Sequence, residues 1–260
     1  MNKRTVFIII IICLIIGAGL TKGMERIFSE SRYIKKTDRM LDLSFSQFGE
    51  DIIMNNIIIY LNIKNPTYID IGAAHPFYEN NTYMFYKNGG HGVLVEPNPR
   101  FVKQLKEVRS RDTVLGVGVG ATDEKAADYY MVGSDGVELN TFSKEFADNL
   151  TKKADGNNLK VLKKMKIPLV SINKILSQYF KEGPDIFSID TEGMDYDILK
   201  SLDFNKHRPK IICVETFNIS NFTFNEKIID LLISKNYRLI GGTLVNSIFV
   251  DKDAMQNVKR

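Results

Sequence analysis

The sequence predicts an α/β fold, a Rossmann-like and mostly parallel seven-stranded sheet with helices on both of its faces. Two observations predict it. From residue 46 onward, short apolar runs of strand length alternate with amphipathic segments of helix length, a pattern typical of βαβ units. The first run also ends at a glycine turn, Gly72, and the second ends on a carboxylate, Glu96, so polar groups follow the strand ends as in doubly wound sheets.

In the first half of the chain, apolar residues at helical spacing predict a helix over residues 46–61, packed beside the first strand. That strand starts at residue 68 and ends in the turn 70–73. After this turn comes a segment of helix length. The residues that follow it predict a strand at 93–95, a helix at 101–108, a strand at 113–119 and an additional strand at 129–132.

Residues 133–166 are polar, rich in Lys, Asp and Asn, and contain few apolar residues. Two interpretations stay open for this segment. It is either a surface insertion that carries a helix or two, or a lid over a binding site.

Regular alternation resumes after this segment, and there are no internal repeats. We expect, in order, strand 169–170, helix 172–180, strand 185–189, helix 196–202, strand 210–214, helix 225–235 and two closing strands at 238–240 and 247–250. The closing strands are joined by a short connection that contains Gly241 and Gly242, which suits an antiparallel hairpin at the sheet edge.

The positive charge of the protein lies in its N-terminal arm. Residues 1–40 contain eight Lys or Arg and three Asp or Glu, and the remainder contains 27 basic and 28 acidic side chains. A nearly neutral globular part argues against a nucleic-acid partner. The two cysteines, Cys13 and Cys213, form no zinc-binding pattern and imply no disulfide framework.

We divide the chain into an N-terminal membrane anchor or signal segment (1–22), a basic juxtamembrane linker (23–45) and one domain (46–255). The apolar run 6–20 is borderline for a spanning helix, and its length also fits a secretory signal. Six basic residues in 22–39 favour an uncleaved single-pass anchor with the domain in the cytoplasm. The alternative is cleavage near Gly17 and Gly19, which would leave a secreted or lumenal protein.

The turn after the first strand predicts a nucleoside-binding site. Gly72 lets the backbone approach a ligand, and Glu96 at the next strand tip can accept hydrogen bonds from both ribose hydroxyls. A dinucleotide site needs further glycines to hold a pyrophosphate, but Ala74 and Pro76 stand at those places. S-adenosylmethionine carries no phosphate, and we therefore predict it as the cofactor. We also include Ala74, Pro97 and Asp190 among the cofactor-binding residues.

A second group of polar residues follows the strand at 185–189. Asp190, Glu192 and Asp195 come at and just beyond the carboxyl end of this strand, where open α/β sheets bind ligands. Asp190 or Glu192 could take a proton from a hydroxyl nucleophile, or paired carboxylates could hold magnesium, although we assign no metal. Glu192 and Asp195 could instead complement the dipole of the next helix. His75 is either a general base or a brace for the turn.

Several segments together resemble one known family. IDIGAAHP, FYKNGGHGVLVEPNP, SIDTEGMDYDILKSLDF and RPKIICVE are similar in order and spacing to motifs of the FkbM-type methyltransferases, over residues 46–250. The resemblance implies a class I methyltransferase fold and S-adenosylmethionine-dependent O-methylation. It implies that Asp70, Gly72 and Ala73 form the cofactor loop, that Glu96 is the ribose acid, and that residues 190–193 match the family's D-V-E-G signature.

The sequence departs from the family pattern at three positions. Ala74 stands where asparagine is usual, Ser188 where lysine is common, and Thr191 where valine is common. The asparagine could contact the donor, so Ala74 removes one possible polar contact.

We therefore expect an O-methyltransferase that acts on a hydroxyl of a saccharide, glycolipid or secondary metabolite, with the membrane as a partner through the N-terminal segment. The alternative is a non-catalytic membrane-associated module that retains the fold, for which Ala74 is mild support. A dehydrogenase is disfavoured because the second and third glycines are absent.

Overall fold

A seven-stranded sheet lies at the centre of the computed structural model, which describes residues 44–134, 137–152, 159–218 and 223–258. The strands are β1 (Thr67–Ile71), β2 (His91–Val95), β3 (Thr113–Leu115), β4 (Gly118–Gly120), β5 (Glu124–Ser134), β6 (Val137–Thr141), β7 (Lys160–Ser171), β8 (Ile186–Ile189), β9 (Ile211–Glu215), β10 (Phe217–Asn218), β11 (Thr223–Phe224), β12 (Tyr237–Gly242) and β13 (Asn246–Asp251).

The helices of the described residues lie between these strands or at the two ends of the fold, and strands β3–β6 and β9–β11 follow one another without a helix between them. They are α1 (Glu50–Tyr60), α2 (Tyr83–Lys87), α3 (Pro99–Val108), α4 (Lys144–Lys152), α5 (Ile172–Tyr179), α6 (Asp195–Ser201), α7 (Glu226–Ser234) and α8 (Lys252–Gln256). The predicted anchor at 1–22 lies outside the described residues, as does the linker up to residue 43, so both stay predictions. Within the described ranges, no helix is both long and apolar enough to cross a membrane.

The strand order of the central sheet is β12-β13-β9-β8-β1-β2-β3. Its strands pair in parallel, except that β13 runs antiparallel to both of its neighbours, β9 and β12. The predicted mostly parallel seven-stranded sheet and its closing antiparallel hairpin are therefore confirmed.

The core has two layers, one on each face of this sheet. Alternate residues of a strand point to opposite faces, so in β1 Ile69 faces one layer and Tyr68 the other. Apolar residues of α5, α6 and α7 cover the first face, and those of α1, α2 and α3 cover the second. Both faces are buried, which explains why these strands read as continuous apolar runs.

Helix α1 begins at Glu50, four residues later than the periodicity predicts, because Asp51 organises the preceding residues as a turn. Its carboxylate accepts hydrogen bonds from the backbone N–H groups of Phe45 and Ser46, at 2.7 and 3.3 Å. Helix α3 begins two residues earlier than predicted because the Asn98 side chain caps it and Pro99 suits its first turn.

The predicted strand at 113–119 is wrong as a single element. It divides into β3, which pairs with β2 in the central sheet, and β4, which pairs with β7 in a second sheet. A side chain at Gly118 would place its Cβ 2.3 Å from the Phe142 ring and 2.5 Å from Leu169. Because glycine has no side chain, Phe142 and Leu169 can pack directly against the backbone of β4 at this position.

The second sheet, of order β4-β7-β5-β6, contains most of the polar segment 133–166. We expected a surface insertion with a helix or two, or a lid, but the segment forms β6 and most of β7 around the single described helix α4. The first residues of β7, including Lys160, Val161 and Leu162, are exposed, so the segment lacks the alternation by which a half-buried strand is recognised.

Candidate active site

A cavity of about 600 Å³ opens at the carboxyl ends of β1, β2 and β8, the edge at which open α/β sheets bind ligands. Both predicted groups of polar residues reach it. Of the predicted site residues, those that line the cavity are Gly72, Ala74, His75, Glu96, Pro97, Asp190 and Glu192.

Gly72 has a positive φ of 82°, and a Cβ at this position would lie 1.9 Å from the backbone carbonyl oxygen of Asp190. The sequence suggested that glycine was needed for the approach of a ligand. The structure gives a different reason, which is that the turn after β1 packs against the end of β8. Gly72 thus brings the two predicted groups of polar residues together.

Glu96 is buried at the tip of β2, with 3% of its surface exposed. One carboxylate oxygen accepts a hydrogen bond from the backbone N–H of Ala74 at 2.9 Å, and the other accepts one from Asn98 at 2.7 Å. A carboxylate oxygen can accept more than one hydrogen bond, so this arrangement is compatible with contacts to ribose hydroxyls. Glu96 also fixes the turn that contains Ala74.

Asp70 and Ala73 do not line the cavity. Asp70 is buried behind it and accepts hydrogen bonds from the Thr82 hydroxyl at 2.8 Å and the Asn80 amide at 3.4 Å. Burial raises the pKa of Asp70 above its ordinary value. Its contacts support the cofactor loop from behind.

A buried arginine that the sequence reasoning missed extends this support. Arg109 is fully buried and forms an ion pair with Asp112 at 2.8 Å. Its guanidinium also donates hydrogen bonds to the Pro76 carbonyl, the Asn80 side chain and the Thr82 hydroxyl, each at 3.1 Å. The segment after the glycine turn is thereby tied to the end of α3.

On the opposite side, three carboxyl groups meet. Asp190, Glu192 and Glu215 each place an oxygen within 4.8 Å of the others, and Oδ1 of Asp190 is buried without a hydrogen-bond partner in the part of the chain that the structure describes. Glu215 was not singled out from sequence, although β9 pairs in parallel with β8, so the carboxyl ends of both strands meet at one edge. Carboxylate oxygens at this spacing also suit a divalent cation.

Burial and mutual repulsion hold protons on these groups at neutral pH. Burial, with the charges of Glu215 and Asp195, raises the pKa of Glu192 to about 8. Burial and the charge of Asp195 raise the pKa of Glu215 to about 7. Burial and the charge of Glu192 raise the pKa of Asp190 well above its ordinary value. The cluster can therefore gain or lose a proton close to neutrality.

Asp195 has a structural environment. It is buried at the start of α6 and accepts hydrogen bonds from the backbone N–H and the hydroxyl of Thr191, at 2.9 and 3.0 Å. It does not line the cavity, and it closes the acidic turn onto the helix that follows.

His75 lines the cavity, but its Nδ1 accepts a hydrogen bond from the backbone N–H of Tyr78 at 3.1 Å. Burial and the nearby charge of Arg100 lower the pKa of His75, so the ring is neutral at pH 7 and carries its proton on Nε2. In this state His75 braces the turn and offers the cavity a hydrogen-bond donor.

The second sheet forms the remaining wall of the cavity. Its contributions were not predicted individually, and they are Tyr129, Ser134, Leu139, Asn140, Phe142 and Leu162. The Thr141 hydroxyl donates a hydrogen bond to the backbone carbonyl of Glu192 at 2.8 Å. The polar segment therefore contacts the acidic turn directly and is part of the site.

Comparisons with known proteins identify the family. The model of the methyltransferase FkbM domain matches residues 70–239, and a comparison with curated protein sequences finds no match. Among solved structures, a TehB-like S-adenosylmethionine-dependent methyltransferase from Corynebacterium glutamicum is 8% identical, with 89% of this chain and 100% of that chain covered and a TM-score of 0.41.

A putative caffeoyl-CoA O-methyltransferase from Staphylococcus aureus is 9% identical, with 88% of this chain and 98% of that chain covered and a TM-score of 0.43. At such identities and TM-scores these likenesses establish nothing about a substrate. The family match covers more than half of the chain and includes the glycine turn, Glu96 and the carboxyl cluster. The chain therefore belongs to the FkbM methyltransferase family, whose methyl donor is S-adenosylmethionine.

Proposed function

We propose that the protein is an O-methyltransferase that acts on a hydroxyl of a saccharide, glycolipid or secondary metabolite. The observation that supports this most is the carboxyl cluster of Asp190, Glu192 and Glu215, of which Asp190 and Glu192 line the same cavity as the glycine turn and Glu96. A proton acceptor and a nucleoside-binding turn in one enclosed site are what methylation of a hydroxyl requires.

The cavity residues fit the donor. Glu96 stands at the strand tip where ribose hydroxyls would bind, and the unpartnered Oδ1 of Asp190 lies at the adjoining strand end. S-adenosylmethionine, when bound, supplies an electrophilic methyl group on a sulfonium. We assign the remaining tasks to the protein, which orients the acceptor hydroxyl, excludes water and receives the proton.

In the proposed reaction, the acceptor oxygen forms a bond to the methyl carbon while the carbon–sulfur bond breaks. The hydroxyl proton passes to Asp190 or Glu192 in the fraction of the protein in which that carboxyl group is ionised. For Glu192, with a pKa of about 8, this fraction grows as pH rises above neutrality. Alignment of the two reacting atoms supplies most of the acceleration, and proton removal assists it. His75 acts as a hydrogen-bond donor and brace, because its Nδ1 already accepts the Tyr78 N–H.

We also propose that the domain faces the cytoplasm and is tethered to the membrane by the apolar run 6–20. The basic residues of 22–39 favour this orientation. Methyl donors are cytosolic in bacteria, so a cytoplasmic domain has direct access to its cofactor.

Asp190→Asn tests the proposed chemistry. The amide cannot accept the proton, so transfer of labelled methyl from S-adenosylmethionine should fall about 10²- to 10⁴-fold. Calorimetric affinity for S-adenosylhomocysteine should stay close to that of the natural protein. The matched control is Asp230→Asn, which alters an exposed carboxylate on α7.

Full turnover by Asp190→Asn would refute its catalytic role. Donor binding by the natural protein without transfer to hydroxylated acceptors would support the non-catalytic alternative, and failure to bind the donor would refute both.

A further inference from the structure

We infer that Asn140, on the wall formed by β5, β6 and β7, accepts a hydrogen bond from a second hydroxyl of the acceptor, which is a polyhydroxylated ring such as a hexose. This assignment rests on the proposed function, because it names the residue that recognises the acceptor of the same site.

The Asn140 side chain has an unmet hydrogen-bonding requirement. Its Oδ1 is buried without a hydrogen-bond partner among the described residues, and the residue lines the cavity. A buried acceptor without a donor costs about 1–3 kcal/mol, so such groups in a folded protein usually have a partner. A ligand hydroxyl or amide N–H in the cavity would supply the missing donor.

Asn140 also has a fixed position close to the carboxyl cluster. It lies on β6 opposite Met131 of β5, so its backbone belongs to a paired strand. The next residue, Thr141, donates a hydrogen bond to the carbonyl of Glu192 at 2.8 Å. An acceptor whose reacting hydroxyl is near the carboxylates can therefore place a neighbouring hydroxyl near Asn140.

Two aromatic rings complete this wall. Tyr129 and Phe142 both line the cavity, with ring centroids 4.8 Å apart and ring planes inclined by 47°. Tyr129 is only 2% exposed and packs behind Phe142, so the apolar surface of this wall comes mainly from Phe142, beside an amide oxygen and carboxyl groups. A sugar ring presents the matching combination, because its C–H groups form an apolar face and its hydroxyls form a polar edge.

The experiment uses the full chain in a detergent without a sugar headgroup, saturated with S-adenosylhomocysteine. Methyl β-glucopyranoside, methyl β-galactopyranoside and methyl α-mannopyranoside are titrated by saturation-transfer difference NMR. At least one of these neutral glycosides should bind.

Three variants test the residue. Asn140→Ala should weaken the bound glycoside about tenfold, because the amide oxygen is lost. Asn140→Ser keeps an acceptor oxygen without adding a charge and should recover part of the affinity that Asn140→Ala loses, a rescue that a packing role would not give. The control Asn149→Ala removes an exposed amide on α4, away from the cavity, and should bind normally.

Calorimetry with S-adenosylhomocysteine in each variant separates the two proposals. If the natural protein does not bind the donor product, the proposed function itself fails. If the product binds but no neutral glycoside does, or Asn140→Ala binds as tightly as Asn149→Ala, the assignment of Asn140 is overturned while the methyl-donor site stands.

Discussion

At position 74 the backbone has a positive φ of 46°, in the left-handed region that disfavours residues with a Cβ. Holding alanine in this region costs about 1–2 kcal/mol, whereas asparagine tolerates it better. The asparagine that is usual in the family therefore suits the conformation of the turn. Since Glu96 binds the N–H of Ala74, the turn keeps its shape despite the substitution.

Ionisation of Glu215 lowers the stability of the folded protein, so the free energy of unfolding depends on pH. Because folding raises its pKa from an ordinary 4.5 to about 7, the folded state holds its proton more tightly than the unfolded state does. The bound proton contributes its full share to the free energy of unfolding below pH 4.5, the pKa in the unfolded state. That contribution is lost as pH rises through about 7, the pKa in the folded state. Glu215→Gln cannot ionise, so the variant should gain melting temperature relative to the natural protein at pH 8 more than at pH 5.

Melting curves at the two pH values measure this difference. Glu182→Gln, in an exposed loop position, is the control and should show no such pH-dependent gain. A gain in Glu215→Gln that is equal at both pH values would contradict the assignment.

Individual site residues could be predicted from the sequence where they stand at the end of an apolar strand. Glu96 and Asp190 end apolar runs, and both line the cavity. Asn140 and Arg109 could not be predicted in this way, because their roles depend on contacts with residues far away in sequence. Glu215 could have been found by comparing the ends of neighbouring strands.

Among the elements, the regular strands and helices of the central sheet were predicted within a few residues because their apolar periodicity is strong. The sequence could not show where one sheet ends and another begins. The division between β3 and β4 depends on Phe142 and Leu169, which pack at Gly118. Strand β7 was missed over most of its length because its first half is exposed and lacks alternation.

The junction between β1 and β8 should be the element contact most sensitive to substitution. In Gly72→Ala the new methyl group would lie 1.9 Å from a backbone oxygen that cannot move independently, and the residue would keep a positive φ. We expect a loss of more than about 4 kcal/mol in the free energy of unfolding, or failure to fold. Urea unfolding measures this loss.

The control for this variant is Gly116→Ala, whose Cβ would lie in ordinary contact with Val102 at 3.6–3.7 Å. Its free energy of unfolding should change by less than about 1 kcal/mol. Similar stabilities for the two variants would show that β1 and β8 do not approach as closely as described.

For the whole molecule, the apolar run near the N-terminus predicts association with the membrane. The full chain should sediment with membranes and stay there after a high-salt wash, because apolar insertion is insensitive to salt. A variant that lacks residues 1–22 should remain in the supernatant. Recovery of a shortened chain that begins near residue 20, shown by mass spectrometry, would instead establish a cleaved signal segment.

More of the overall architecture than of the candidate site could be predicted from the sequence. Alternating apolar segments determine a doubly wound sheet, and the positions of Gly72 and Glu96 indicate which edge binds a ligand. The wall opposite the donor side could not be predicted, since residues 133–166 lack periodicity and gave two open interpretations. Their contact with Glu192 through Thr141 appears only when the chain is folded.

The parallel pairing of β4 with β7 brings the two ends of the intervening chain side by side, with Gly118 opposite Leu169 and Gly120 opposite Ser171. A segment whose entry and exit are neighbours can be exchanged for another of different length without displacing the scaffold that supports it. Grafting the corresponding segment of a relative between these two points is therefore a route to new acceptor preferences that leaves the methyl-donor half unchanged.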